Sequence, residues 1–118
     1  MMEGDSMSKT LDKNKQEIQS ELYAKFFQGL SNPTRYKIVE ALLEGPKNVS
    51  QLVNKLGVSQ SQISNQLACL KWCGYVTCKQ EGKYVYYQIT DERIRTIMEL
   101  ARSMVADNAN HISCCTRM

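Results

Sequence analysis

With 118 residues, 42% of them hydrophobic, the chain fits one folded domain with a limited core, which leaves room for dimerisation. A net charge of +3 is compatible with nucleic acid without pointing to it. No apolar run approaches the ~18 residues of a membrane span. The polar opening MMEGDSMSKTLDKNKQE has no apolar export segment, so the expected location is the cytoplasm.

Residues 1–15 are expected to be disordered, residues 16–107 to fold, and residues 108–118 to form a flexible tail. From Gln16 to Leu30, Ile18, Leu22, Tyr23, Phe26, Phe27 and Leu30 recur at helical spacing. Asn32-Pro33 suits a cap and first turn for a second helix, running to about Glu44. Its apolar side is Ile38, Val39, Leu42 and Leu43, and Gly45-Pro46 ends it. A short helix follows from Ser50 to Leu56, then a tight turn at Gly57. Ser59 caps the next helix, with Gln62 placed to complete a capping box. Ile63, Leu67 and Leu70 form its buried stripe, and Gly74 ends it. Tyr75–Gln80 and Tyr84–Ile89 alternate as strands around Glu81-Gly82. The first has Val76 and Cys78 on one face, the second Val85, Tyr87 and Ile89. A final helix starts near Asp91 and carries Ile94, Ile97, Met98, Ala101, Met104 and Val105. Short helix, turn, capped helix and hairpin make a winged helix-turn-helix: a mainly α fold with a small β-hairpin.

A helix that reads DNA needs small or polar side chains near its N-terminus, clear of the core stripe. Gln60, Ser61, Gln62, Ser64 and Asn65 satisfy that need, and Gln66 follows them. Gln and Asn pair bidentately with adenine, Ser bonds several base edges, and a helix N-terminus favours phosphate. Lys79 and Lys83, with Tyr84 and Tyr86, suit phosphate or minor-groove contact from the hairpin. Arg35, Lys37 and Lys71 are further candidates for backbone contact. Any one of these residues equally suits plain solvation of an exposed surface; the agreement of turn, cap, stripe and wing carries the reading.

The five cysteines, Cys69, Cys73, Cys78, Cys114 and Cys115, are odd in number. In a reducing compartment they bind metal or react more often than they form structural disulfides. Cys69 and Cys73 lie four apart, on one helix face, where two thiolates can converge on one ion. Thiolates select soft ions over magnesium or calcium. Cys78 is expected inward on its strand. Packing does not explain Cys114 and Cys115 in a polar tail. His111 is expected to be solvated there. No nucleophile–base–acid set is visible, which argues against an enzyme.

The motifs LSNPTR, VSQSQISNQL and EGKYVYYQIT, within about residues 20–106, resemble the ArsR/SmtB family of metal-responsive repressors. The resemblance implies a homodimer, with the first and last helices at its interface, that binds double-stranded operator DNA and releases it when a metal ion binds. Gln66 departs from the pattern, since many relatives have His there.

Family members place their sensor sites differently. A Cys-x-Cys site on the third helix is absent here, because VSQLVNK holds no cysteine. An Asp/His site on the last helices is represented by Asp91 alone, since Arg93, Met104 and Asp107 occupy the other matching positions. The remaining likeness is to the cadmium- and lead-sensing branch. It implies a site of Cys69 and Cys73 with Cys114 or Cys115 from the partner protomer's tail. Three thiolates suit lead or arsenite, and a fourth ligand, Cys115 or His111, favours tetrahedral cadmium or zinc. An arsenite-responsive repressor and a thiol-redox or sulfide switch remain as alternatives.

Overall fold

The computed structural model describes residues 6–109, with side chains from Lys15 onward. Among the described residues, five helices, α1 (Ser6–Gln28), α2 (Pro33–Leu42), α3 (Val49–Leu56), α4 (Gln60–Trp72) and α5 (Arg93–Asp107), accompany one hairpin of β1 (Val76–Glu81) and β2 (Tyr84–Ile89). The first helix starts at Ser6, well before Gln16. SMSKTLDKNK contains neither Gly nor Pro to stop a helix, and Met7 and Leu11, its two apolar residues, are too few to set a periodicity. The expected tail, residues 108–118, lies outside the described residues from Asn110 onward.

Local chemistry sets the helix boundaries. Asn32 Oδ1 accepts from Thr34 N (2.8 Å) and Arg35 N (3.1 Å), with Pro33 at the first helical position of α2. The reciprocal capping box belongs to α3: Gln51 N donates to Asn48 Oδ1 and Asn48 N to Gln51 Oε1, each at 2.8 Å. The box expected at Ser59 is only half made. Gln62 N donates to Ser59 Oγ at 3.2 Å, and the Gln62 side chain does not fold back. Gly57, at φ 67°, closes α3 and leads into α4.

The core is built where α2, α3, α4, the start of β1 and α5 meet. Ile38, Val39, Leu42, Leu52, Ile63, Leu67, Leu70, Tyr75, Val76, Ile94 and Met98 are buried there. The stripe of α4 is therefore as expected, and it fixes which face of that helix looks outward. The strands pair antiparallel, Val76 opposite Ile89 and Glu81 opposite Tyr84. The two-residue turn is Gly82-Lys83, one residue later than expected, with Gly82 first at φ 62°. Lys47 adds a bridge to the wing, exchanging backbone hydrogen bonds with Tyr87 at 3.0 and 2.8 Å. Val85 is exposed at the far end of the wing's inner face, beyond the reach of the core.

Two helices keep uncovered apolar faces. On α1, Ile18, Leu22, Tyr23 and Phe27 are 58–62% exposed. On α5, Leu100, Met104 and Val105 are 49–66% exposed. Among the described side chains of α1, those of its last part touch the core, through half-buried Phe26 and, in the turn beyond the helix, Leu30.

Candidate nucleic-acid interface and thiol site

The N-terminal half of α4 is open. Gln60, Ser61, Gln62, Ser64 and Asn65 are all exposed, while Ile63 and Leu67 hold the opposite side down. Among the described residues no hydrogen bond uses those five side chains. Their donors and acceptors are free for base edges. Ser50 and Asn54 of α3 line a cleft shared with Gln60. Sequence reasoning missed that pair, although polar residues four apart on a short helix mark a single face.

Gln66 stands apart from its expected companions. It is half-buried, and Arg35 Nη1 donates to its Oε1 at 2.8 Å. Arg35 also donates to the carbonyls of Gly29 (3.2 Å) and Gln28 (3.0 Å) at the end of α1, where the helix dipole favours a cation. Arg35 therefore joins α1 to α4 inside the protomer rather than standing free for phosphate.

On the wing, Lys79 and Lys83 are exposed as expected. Lys79 pairs with Tyr86 across the hairpin, and the Lys83 ammonium lies 5.5 Å from the Tyr84 ring centre. The lysines and tyrosines form one basic, aromatic patch at the tip.

The C-terminal half of α4 carries the thiols. Cys69 is exposed, Cys73 is half-buried, and both are free. They are one helical turn apart: Cys73 N donates to Cys69 O at 2.9 Å, and Cys73 is the C-cap. Two uncommitted thiols on one face suit a soft ion as part of a site. Among the described residues no group of three or more His, Cys, Asp or Glu side chains gathers to complete it. Cys114, Cys115 and His111 lie outside the described residues. Cys78 is half-buried on β1 rather than sealed in the core, and Lys71 Nζ donates to its Sγ at 3.3 Å.

Asp91 is engaged elsewhere. It accepts from Arg93 N at 2.8 Å and from the Arg93 guanidinium at 2.6–3.1 Å. Those hydrogen bonds hold its carboxyl down to about 2. The neighbouring Tyr75 is fully buried, and burial pushes its phenol up to about 12. Trp72 is 78% exposed beside the thiols, with the Lys25 ammonium 4.9 Å from its ring centre.

Residues 32–77 match the family model described as bacterial regulatory protein, arsR family. The chain is 40% identical over 95 residues to a probable mercury resistance operon repressor of Streptomyces lividans, covering 80% of this chain and 76% of the relative. The solution structure of the cadmium metal-sensor CmtR from Mycobacterium tuberculosis is similar, with a TM-score of 0.58 at 40% identity. That match covers 65% of this chain and 81% of the sensor. The fold is shared with a homodimeric winged helix-turn-helix DNA-binding domain from Mycobacterium bovis, with a TM-score of 0.74 at 24% identity, covering 82% and 90% of the two chains. Among the described residues no helix is long and apolar enough to cross a membrane. The chain belongs to the arsR family of bacterial regulatory proteins: it is a winged helix-turn-helix transcriptional regulator, not an enzyme.

Proposed function

We propose that the chain is a cytoplasmic repressor that binds operator DNA as a homodimer and releases it when a soft metal ion, cadmium or lead, is captured by cysteine thiolates. The observation that carries this reading is the division of α4. Its N-terminal half presents free polar groups, and its C-terminal half presents two free thiols on one face. Gln60, Ser61, Gln62, Ser64 and Asn65 read bases, and Lys79 and Lys83 hold phosphates. Cys69 and Cys73 hold the ion with Cys114 or Cys115. The uncovered faces of α1 and α5 support a second copy as the covering surface.

The ion acts by binding the free and the DNA-bound protein with different affinity. Coupling typical of such systems lowers DNA affinity by roughly 5- to 150-fold. A second reading, the mercuric ion, is favoured by the Streptomyces lividans relative and by a thiol pair that already offers two soft ligands.

Operator-binding titrations with cadmium, lead, mercuric ion and arsenite, each followed by thiolate absorbance, test the proposal. Release by cadmium or lead supports the first reading, and release by mercury alone supports the second. Reversible release by peroxide with no ion effective would replace both with redox sensing.

A further inference from the structure

The segment after Cys73 does more than end a helix. It forms a Schellman turn, in which Gly74 takes φ 88° and Gly74 N donates to Lys71 O at 3.2 Å. Tyr75 N donates to Leu70 O at 2.9 Å. Tyr75 is thereby locked to the turn that carries Cys73. Its carbonyl accepts from Thr90 N at 3.0 Å, so the exit of the wing is tied to the same residue.

The Tyr75 side chain reaches the other way, into α1. It has no exposed surface. Its hydroxyl donates to Phe26 O at 2.6 Å, and its ring stacks on Phe26 with centroids 4.6 Å apart. A Cβ placed on Gly29 would lie 2.3 Å from the Tyr75 ring, so the chain just past α1 passes directly against it. A close-packed ring held from three sides cannot shift without moving its neighbours. On the other side of Cys73, Trp72 meets Lys25 of α1. Both flanks of the thiol-bearing turn therefore end on the same helix.

We propose that Tyr75 is the positioning residue that couples the Cys69–Cys73 turn to α1. A change in the turn when an ion is captured displaces the phenol. The phenol displaces the last two turns of α1, which carry the uncovered residues Tyr23 and Phe27. This inference rests on the metal-responsive reading above and adds the route by which the signal leaves the site. Coupling through such a packed element is reciprocal, so a change in α1 alters ion affinity by the same factor.

The test uses the full chain with cadmium as the probe, comparing wild type, Tyr75→Phe and Gly29→Ala. Tyr75→Phe keeps the ring stack and removes the hydrogen bond to Phe26. In the metal-free protein, amide exchange at Phe26–Leu30 should rise about fivefold, the factor for one net hydrogen bond, while α2–α4 exchange as before. Cadmium stoichiometry and thiolate absorbance should stay unchanged. The ratio of operator affinities without and with cadmium should shrink by about fivefold. Gly29→Ala displaces the ring from the α1 side and should shrink the same ratio at unchanged absorbance. A merely structural Tyr75 would lower thermal stability and leave the ratio alone, which overturns the coupling. If wild type itself ignores cadmium, the cadmium reading and the coupling proposed for it both fall. If wild type responds and Tyr75→Phe responds equally, only the coupling falls.

Discussion

The two halves of α4 share one helix and one buried stripe, yet their surroundings are opposite. The first half is committed to nothing within the protomer: five polar side chains project from it without hydrogen bonds among the described residues. The second half is joined to the rest of the fold at every turn. Arg35 holds Gln66, the Lys25 ammonium meets the exposed Trp72 ring, and Tyr75 anchors the exit turn to Phe26. The proposed function needs this contrast: a surface left unspent for DNA, and a sensing segment wired to other elements. The Cys69–Cys73 pair sits on the wired half, where the proposed ion binding would have somewhere to act.

The comparison breaks most completely by removing what the halves share. Leu67→Ala should cost about 2–5 kcal/mol in urea unfolding, because Leu67 is buried at the helix centre. A cost below about 1 kcal/mol would mean that α4 is not anchored as described.

A subtler pair separates the halves at their border. Asn65→Ala should weaken operator binding by about 1–3 kcal/mol with little change in stability, as expected for a lost bidentate base contact. Gln66→Ala, one residue later, should instead lower stability by about 1 kcal/mol through the lost Arg35 hydrogen bond. Equal effects on DNA affinity would erase the boundary drawn between them.

On the wing, Lys83→Ala should weaken binding uniformly across sequences and reduce the salt slope by about one. A sequence-dependent effect would make Lys83 a base reader.

The smallest effect concerns Asp91, which sharpens the contrast by testing that α5 holds no competing site. Its folded carboxyl titrates near 2, below its unfolded value. The contribution of its pairing with Arg93 is therefore complete above the ordinary carboxylate range and lost as pH falls toward 2. An NMR titration should find that midpoint, unmoved by zinc. A zinc-sensitive Asp91 would revive the Asp/His arrangement.

Much of α4 was legible in the sequence because its signals are local. Ser59 marks the start, Ile63, Leu67 and Leu70 set the face, and Gly74 marks the stop. The spacing of Cys69 and Cys73 is equally local. The wiring was not legible: Arg35 meets Gln66 across 31 residues and Tyr75 meets Phe26 across 49, and no pattern within a helix encodes either contact. The capping box was misplaced for a related reason. Asn48–Gln51 and Ser59–Gln62 carry the same signal, and only the first Gln folds back. The first turns of α1, with Met7 and Leu11 as their apolar residues, carry too little stripe to read. Gln66 follows the DNA-reading candidates in the chain, yet its half-buried side chain is held by Arg35.

The most direct measurement is a cadmium titration of the protein–operator complex, run in parallel on wild type, Cys69→Ser and Cys73→Ser. Metal-free operator affinity should agree within about twofold among the three, because neither thiol lies on the reading half of the helix. Wild type should lose roughly 5- to 150-fold in affinity as thiolate absorbance grows, and each serine variant should lose both responses. Serine variants that still release DNA on cadmium, or a wild type that binds cadmium through these thiols and keeps its operator, would contradict the division of α4 into a reading half and a sensing half.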